Sequence, residues 1–121
     1  MTRKIFSEPT PFAVAHRGSR LLWPENTMTA FQGAVDLGYQ YLETDLHRTR
    51  DGVLVAFHDD TLDRTTDGTG RVAARSWEEL STLDAAFHFA PHQGYPLRGS
   101  GVRVPSLEEI FESFPAIRLI L

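Results

Sequence analysis

Short apolar runs and a segment of helical periodicity alternate along the first half of the chain. Residues 12–15 form a short apolar run, and residues 41–46 contain Tyr, Leu and Thr side chains that favour strands. Residues 28–38 place apolar side chains at helical spacing, and Asn26 or Thr27 can cap this helix. A strand, a helix and a strand in this order form a βαβ unit, so we expect the two strands to be parallel.

The second half of the chain adds a hairpin, an irregular stretch and two helices. Asp51 and Gly52 predict a tight turn that returns residues 53–57 as a second strand of a hairpin. Ser76 and Ser106 each begin a Ser-x-x-Glu capping box that opens a helix. The second of these helices is expected to turn four apolar side chains inward, namely Leu107, Ile110, Phe111 and Phe114.

This order of elements predicts an alternating α/β fold, either a barrel or a doubly wound sheet. The 121 residues suffice for one small domain with its own core. Residues 116–121 have the pattern of a buried strand, and the chain stops within it. We therefore expect the chain to be an N-terminal piece of a longer protein.

Charge and composition exclude several classes of protein. The net charge of −4 argues against a nucleic-acid-binding surface, and the absence of cysteine excludes disulfides and thiolate zinc sites. No apolar run approaches the ~20 residues that span a bilayer, and residues 1–8 lack the apolar core of a secretory signal. We expect a cytoplasmic protein without stable membrane insertion, and the sequence does not predict its oligomeric state.

Two carboxylates in the second predicted strand are the first candidates for chemistry. Side chains on a strand point to alternate faces, so Glu43 and Asp45 are expected on the same face. Adjacent carboxylates repel each other, and a hard cation with oxygen ligands, such as Mg²⁺ or Ca²⁺, would resolve that repulsion. The pair therefore predicts a site for a divalent cation.

Two histidines and an arginine are predicted at strand ends. His16 and Arg17 follow the first strand, and Gly18 permits the chain to leave it sharply. His58 follows the returning strand of the hairpin. Functional side chains gather at such positions in α/β folds, although His16 alone is equally consistent with an ordinary polar residue at a strand end.

Carboxylates, imidazoles and a guanidinium suit phosphoryl chemistry. A cation would neutralise phosphate oxygens, Arg17 would bind others with its planar fork of donors, and two imidazoles can divide the proton transfers. The sequence has no Gly-rich phosphate loop, so a nucleotide cofactor is not expected. His88 and His92 have helical spacing, but Pro91 breaks a helix between them, and we expect no metal there.

Several short motifs lie in a fixed order along the chain. They are His16-Arg17-Gly18, Pro24-Glu25-Asn26-Thr27, Glu43-Thr44-Asp45, His58-Asp59, and Arg64-Thr65-Thr66 with Gly68 and Gly70. In this order and spacing, the chain from Val14 to Leu121 resembles the glycerophosphodiester phosphodiesterase family. The resemblance implies a TIM (β/α)8 barrel with its site at the carboxyl ends of the strands. It also implies hydrolysis of small-molecule glycerophosphodiesters to glycerol 3-phosphate and an alcohol, with a divalent cation.

The resemblance assigns roles by position. His16 and His58 correspond to the family's catalytic histidines, Arg17 to its phosphate contact, and Glu43 and Asp45 to two of its metal ligands.

The resemblance also covers the remaining parts of the chain. Glu25 is expected to support the site from behind the ligands. Residues 68–104 correspond to a small insertion after the second strand, which shapes the substrate entrance. Residues 1–121 are then the opening portion of the barrel. The family's third metal carboxylate and its phosphate-binding lysine are expected beyond Leu121, so we expect residues 1–121 alone to be inactive.

Other functions remain open at this point. A sphingomyelinase D-like or lysophospholipase D-like enzyme would share these motifs and act on lipids. A non-catalytic phosphate- or metal-binding module would bind an anion at Arg17 without turnover. An acidic residue followed two positions later by lysine, beyond Leu121, would favour the enzyme.

Overall fold

A computed structural model of the chain describes residues 14–18 and 22–121, and it shows an α/β arrangement. In chain order, the strands and α-helices of these residues are β1 (Val14–His16), α1 (Met28–Asp36), β2 (Tyr41–Glu43), β3 (Leu46–Arg48), β4 (Leu54–Ala56), α2 (Trp77–Leu80), α3 (Leu107–Ser113) and β5 (Arg118–Ile120). Single-turn 3-10 helices cover Val72–Ala74 and Pro91–Gln93. Residues 12 and 13, which the sequence assigns to the first strand, lie outside the described residues.

Three parallel strands form the main sheet. β2 lies in the middle, with β1 on one side and β5 on the other, and both pairings are parallel. Ala15 pairs with Leu42, which pairs in turn with Leu119. The predicted parallel βαβ unit is therefore confirmed. Because parallel strands end at the same edge, the residues that follow them are brought together there.

The second predicted strand is shorter than the sequence indicated. The pattern predicted one strand over residues 41–46, but β2 ends at Glu43 and Asp45 lies outside it. The backbone N–H of Thr44 donates to Ile120 O at 3.0 Å, whereas the carbonyl of Asp45 already accepts from Phe57 N at 2.9 Å. The chain therefore changes hydrogen-bonding partner between residues 44 and 45. The expectation that the two carboxylates share the face of one strand is wrong for this reason.

The hairpin forms a separate two-stranded sheet. β3 and β4 pair antiparallel, and the turn between them contains Asp51 and Gly52 as predicted. Gly52 has a φ of 87°, a left-handed conformation that glycine adopts without strain. β4 leads through Phe57 to His58, which brings this histidine back toward the main sheet.

Apolar side chains form two cores. One core joins the main sheet to α1 and α3 through Phe31, Leu42 and Ile110, which are at most 1% exposed. The other lies beneath the hairpin and the irregular residues that follow it, and its fully buried members include Val55, Leu62 and Leu80. The irregular stretch therefore has apolar packing of its own.

The predicted helix caps are confirmed, but one residue that was predicted to face the core is exposed. Thr27 caps α1 by accepting from Ala30 N at 3.1 Å, and α2 and α3 both begin with capping boxes. Phe111 was expected to face inward but is 52% exposed. Ile110, one residue earlier, is 1% exposed, so the buried stripe of this short helix is narrower than the spacing predicted. Within residues 14–18 and 22–121, the helices are all too short to cross a bilayer.

Gly18→Ala is expected to lower the free energy of unfolding by ~2–4 kcal/mol. An added Cβ would lie 2.7 Å from Phe31 Cδ1, and φ is +69°, so packing overlap adds to backbone strain. Gly70→Ala is the matched control, because φ is +84° there but no described heavy atom lies within 4 Å of the added Cβ. This control variant should lower the free energy of unfolding by only ~1 kcal/mol, the cost of backbone strain alone. Equal losses in urea unfolding of the two variants would contradict the predicted overlap at Gly18.

Candidate active site

The carboxyl ends of β1 and β2 place the first functional side chains side by side. His16 and Glu43 are direct partners in the parallel pairing, and His16 Nε2 lies 3.5 Å from Glu43 Oε1. The backbone N–H of Arg17 donates to the same carboxylate oxygen at 3.0 Å. Glu43 therefore joins the end of β1 to the end of β2. The structure brings these three sequence-predicted residues together.

Arg17 lies between two further carboxylates. Its side chain is only 12% exposed, and Nη1 lies 3.4 Å from both oxygens of Glu25. Nε lies 3.8 Å from Asp45 Oδ2 and is buried without a hydrogen-bond acceptor among the described residues. Arg17 also has a φ of 49°, an uncommon conformation that costs energy in a non-glycine residue. The guanidinium is therefore held in a cluster where the negative charges outnumber it.

Asn26 connects the loop before α1 to both strand ends, a role that the sequence pattern did not reveal. Its backbone N–H donates to Arg17 O at 2.9 Å, and its Oδ1 accepts from Thr44 Oγ1 at 2.9 Å. Its Nδ2 donates to Asp45 Oδ2 at 3.4 Å, and the residue is 3% exposed. Only its membership of the Pro-Glu-Asn-Thr motif pointed to a site, because the sequence otherwise presented Asn26 as a possible helix cap.

His58 is oriented by the residue that follows it. Its Nδ1 lies 2.7 Å from Asp59 Oδ1, and its side chain is 40% exposed. His47 Nε2 lies 2.9 Å from the carbonyl oxygen of His58, so this nitrogen donates and holds the backbone. His47 therefore has a structural contact at this position. Among the described residues, no hydrogen-bond partner reaches the second ring nitrogen of His58, Nε2.

Arg64 joins the two halves of the site. Its guanidinium donates to Asp59 and to Glu25, each through two hydrogen bonds of 2.8–3.0 Å. These hydrogen bonds hold the pKa of Asp59 far below its ordinary value, and they raise the pKa of Arg64. Both side chains therefore stay ionised across the physiological range. Sequence reasoning included Arg64 only as part of a motif and did not assign it a contact.

Glu43 and Asp45 retain oxygens that could bind a cation. Among the described residues, no donor reaches Glu43 Oε2 or Asp45 Oδ1, while the other oxygen of each carboxylate faces a nitrogen. Their side chains are 23% and 32% exposed, so an ion could reach them. No cluster of three histidine or acidic side chains suited to a metal occurs within residues 14–18 and 22–121. The predicted pair is thus chemically suited to a hard cation but supplies only part of a coordination shell.

A cavity of about 470 Å³ opens beside Glu25 and Arg64. Its far wall comes from the irregular residues 85–93 and includes His88 and His92. The predicted insertion therefore lies next to the site. In this part of the structure the two histidines lie in the cavity wall, where Pro91 starts a single-turn 3-10 helix.

Comparison with known proteins places the chain in a family. A model of the glycerophosphoryl diester phosphodiesterase family matches residues 16–118, which is most of the chain and includes every site residue named above. The chain belongs to this family, whose members are phosphoric diester hydrolases, and the sequence-based resemblance is confirmed.

Curated relatives support the same assignment. The chain is 43% identical over 99 residues to a glycerophosphodiester phosphodiesterase of Caldanaerobacter subterraneus, covering 82% of this chain and 38% of that protein. It is 38% identical over 97 residues to human glycerophosphodiester phosphodiesterase 1, covering 80% of this chain and 28% of that protein. The chain therefore spans well under half the length of the curated relatives it matches.

Solved structures share the fold. The glycerophosphoryl diester phosphodiesterase domain of a Mycobacterium tuberculosis protein matches with a TM-score of 0.85 and 31% identity, over 90% of this chain and 42% of that one. An Oleispira antarctica phosphodiesterase, solved in complex with the product sn-glycerol-3-phosphate, matches with a TM-score of 0.78 and 37% identity, over the same share of each chain.

Asp59→Asn is expected to lower the free energy of unfolding at pH 7 by ~1 kcal/mol, because it weakens the hydrogen bonds to Arg64 and His58. The pKa of Asp59 in the folded protein lies below its unfolded value of about 3.9. The stability that ionised Asp59 contributes is therefore fully present above about pH 4, and it is lost as the pH falls through the folded pKa. The difference between parent and variant should therefore shrink below about pH 4.

Denaturant unfolding of parent and variant at several pH values measures this difference. Asp60→Asn is the control, since the Asp60 side chain is 77% exposed and its nearest charged partner is 3.9 Å away. A difference for Asp59→Asn that stays constant down to about pH 2 would contradict the depressed pKa.

Proposed function

We propose that the protein to which this chain contributes hydrolyses glycerophosphodiesters to glycerol 3-phosphate and an alcohol, and that it requires a divalent cation. One observation carries this proposal, namely the placing of His16, Arg17 and Glu43 at adjacent strand ends. An imidazole, a guanidinium and a carboxylate with a free oxygen are the groups this chemistry needs. The family membership and the product named for the Oleispira enzyme support the choice of substrate.

We propose that residues 1–121 form the N-terminal portion of a TIM (β/α)8 barrel. The order β1–β2–β5 with parallel pairing is that of the first strands of such a barrel. Residues 44–104, which lie between β2 and α3 in the chain, contribute no strand to this parallel sheet. Residues 68–104 would then be an insertion that shapes the substrate entrance beside the 470 Å³ cavity.

The histidines would move the protons. His16 would accept the proton of a substrate glycerol hydroxyl as its oxygen bonds to phosphorus, and Glu43 at 3.5 Å would stabilise the resulting imidazolium. His58 would enter this step as the imidazolium, with a proton on each ring nitrogen. It would donate the Nε2 proton to the leaving alcohol as the bond from phosphorus to that oxygen breaks, and the neutral Nδ1–H form would remain. The two roles would exchange when water opens the cyclic phosphate. Asp59 fixes the proton of His58 on Nδ1, which leaves Nε2 facing the substrate.

The charged groups would hold the phosphate. Arg17 would bind a phosphate oxygen through the guanidinium donors that Glu25 leaves free. Glu43 and Asp45 would hold a divalent cation, which supplies positive charge next to the phosphate oxygens when it is bound. Glu25 would fix Arg17 in place from the opposite side.

Replacing either catalytic histidine is expected to stop most turnover. His16→Ala and His58→Ala should each lower kcat by ~10²-fold or more, the range for lost acid–base catalysis. His88→Ala and His92→Ala are the controls, because they remove imidazoles from the cavity wall only. Release of glycerol 3-phosphate from glycerophosphocholine measures the effect. A loss for His92→Ala as large as that for His58→Ala would show that the roles are wrongly assigned.

Replacing the carboxylates is expected to weaken metal binding. Glu43→Gln and Asp45→Asn, in the protein encoded by the complete reading frame, should each lower the affinity for Mg²⁺ or Ca²⁺ by ~10-fold or more, measured by calorimetry. EDTA should abolish turnover of the parent. Asp60→Asn, at an exposed carboxylate nearby, should leave the affinity unchanged.

Two outcomes would contradict these assignments. Unchanged metal affinity in both carboxylate variants would exclude the pair as ligands. Residues 1–121 expressed alone should release no glycerol 3-phosphate, because two carboxylates supply only part of the coordination shell of a divalent cation. Metal-dependent turnover by residues 1–121 would require a different account of the site. Faster turnover of sphingomyelin or a lysophospholipid than of glycerophosphocholine would require a different substrate class.

A further inference from the structure

A chain of hydrogen-bonded ions runs from Arg17 to His58, and Arg64 is its central member. Arg17 contacts Glu25, Glu25 accepts from Arg64, Arg64 donates to Asp59, and Asp59 contacts His58. We propose that Arg64 is a positioning residue, which holds the phosphate-binding arginine and the catalytic histidine in one arrangement. The inference rests on the proposed function and adds to it a residue that acts through Glu25 and Asp59.

The geometry of Arg64 requires a guanidinium. Nε and Nη2 donate to the two oxygens of Asp59 at 2.8 and 3.0 Å. Nη1 and Nη2 donate to the two oxygens of Glu25 at 3.0 and 2.9 Å. A planar fork of donors can bind two carboxylates in this paired manner, whereas the ammonium of lysine is a single point donor.

Glu25 depends on Arg64 for its strong hydrogen bonds. Its side chain is 11% exposed, and its contacts with Arg17 are long, at 3.4 Å to each oxygen. A buried carboxylate that loses its short hydrogen bonds must find water or another donor. Without Arg64, we therefore expect Glu25 to move and Arg17 to lose one of its supports.

His58 depends on Arg64 through Asp59. Asp59 Oδ1 lies 2.7 Å from His58 Nδ1, and the same oxygen accepts from Arg64 Nη2 at 3.0 Å. An ionised carboxylate can only accept, so neutral His58 carries its proton on Nδ1 and leaves Nε2 unprotonated. With Arg64 removed, Asp59 is free to turn toward solvent, and His58 loses the contact that selects this tautomer.

The protein encoded by the complete reading frame, labelled with ¹⁵N-histidine, provides the test. Imidazole ¹⁵N shifts, with His58→Gln used to assign the signal, should show the Nδ1–H tautomer in the parent. Arg64→Gln should give a mixture of tautomers and a kcat lower by about 10- to 100-fold, the range for lost outer hydrogen-bond partners. Arg64→Lys keeps the charge but not the paired hydrogen bonds, so it should show the same tautomer change with a smaller loss of stability.

Arg50→Gln is the matched control for a surface ion pair. Arg50 is 61% exposed and donates to Glu79 at 3.1 Å, and this pair shares no residue with the hydrogen-bonded series from Arg17 to His58. This variant should leave both the tautomer and kcat as in the parent. An unchanged His58 tautomer in Arg64→Gln and Arg64→Lys would overturn the proposal, as would an equal change in Arg50→Gln. If Arg64→Gln does not fold, the tautomer of His58 in Arg64→Lys tests the proposal by itself.

The tautomer separates this inference from the proposed function. A tautomer change in the Arg64 variants supports the positioning role even if the parent shows no phosphodiesterase activity. Full activity of the parent with an unchanged tautomer in the variants would support the proposed function and overturn the positioning role.

Discussion

The hydrogen bond from the Arg17 backbone to Glu43 Oε1 joins the carboxyl ends of two parallel strands, and the rest of the site is built around it. It holds Arg17 in a left-handed conformation, which turns the guanidinium between Glu25 and Asp45. The same carboxylate lies beside His16. One short interaction thus sets the relative positions of an imidazole, a guanidinium and a candidate metal ligand.

Charge balance is the second constraint on this part of the molecule. Arg17 and Arg64 are paired with Glu25 and Asp59, so these four side chains are neutral as a set. Glu43 and Asp45 remain as excess negative charge. Buried or half-buried carboxylates without a counterion are unfavourable, which is a physical reason for a cation or a positively charged group at this position. The site therefore combines a neutral set of four ionised side chains with two carboxylates whose charge is not balanced by that set.

Much of this arrangement follows from local patterns. The helix caps at Thr27, Ser76 and Ser106, the Asp-Gly hairpin and the parallel βαβ unit depend on neighbouring residues or on simple rules of chain direction. The sequence also indicated His16 and Arg17 at a strand end, because a strand followed by glycine marks that position. These features were predictable since each is decided within a few residues.

Other features depend on contacts between distant segments. β2 ends at Glu43 because Asp45 pairs with the hairpin and not with the main sheet, a choice made by residues more than ten positions away. Asn26 and Arg64 gain their roles only when the loop before α1 meets residues 44–64. The family, the order of elements and the residue types of the site can be predicted from the sequence alone. The pairing of each carboxylate with a guanidinium depends on the folded structure, because hydrogen-bond partners across the fold cannot be read from spacing along the chain.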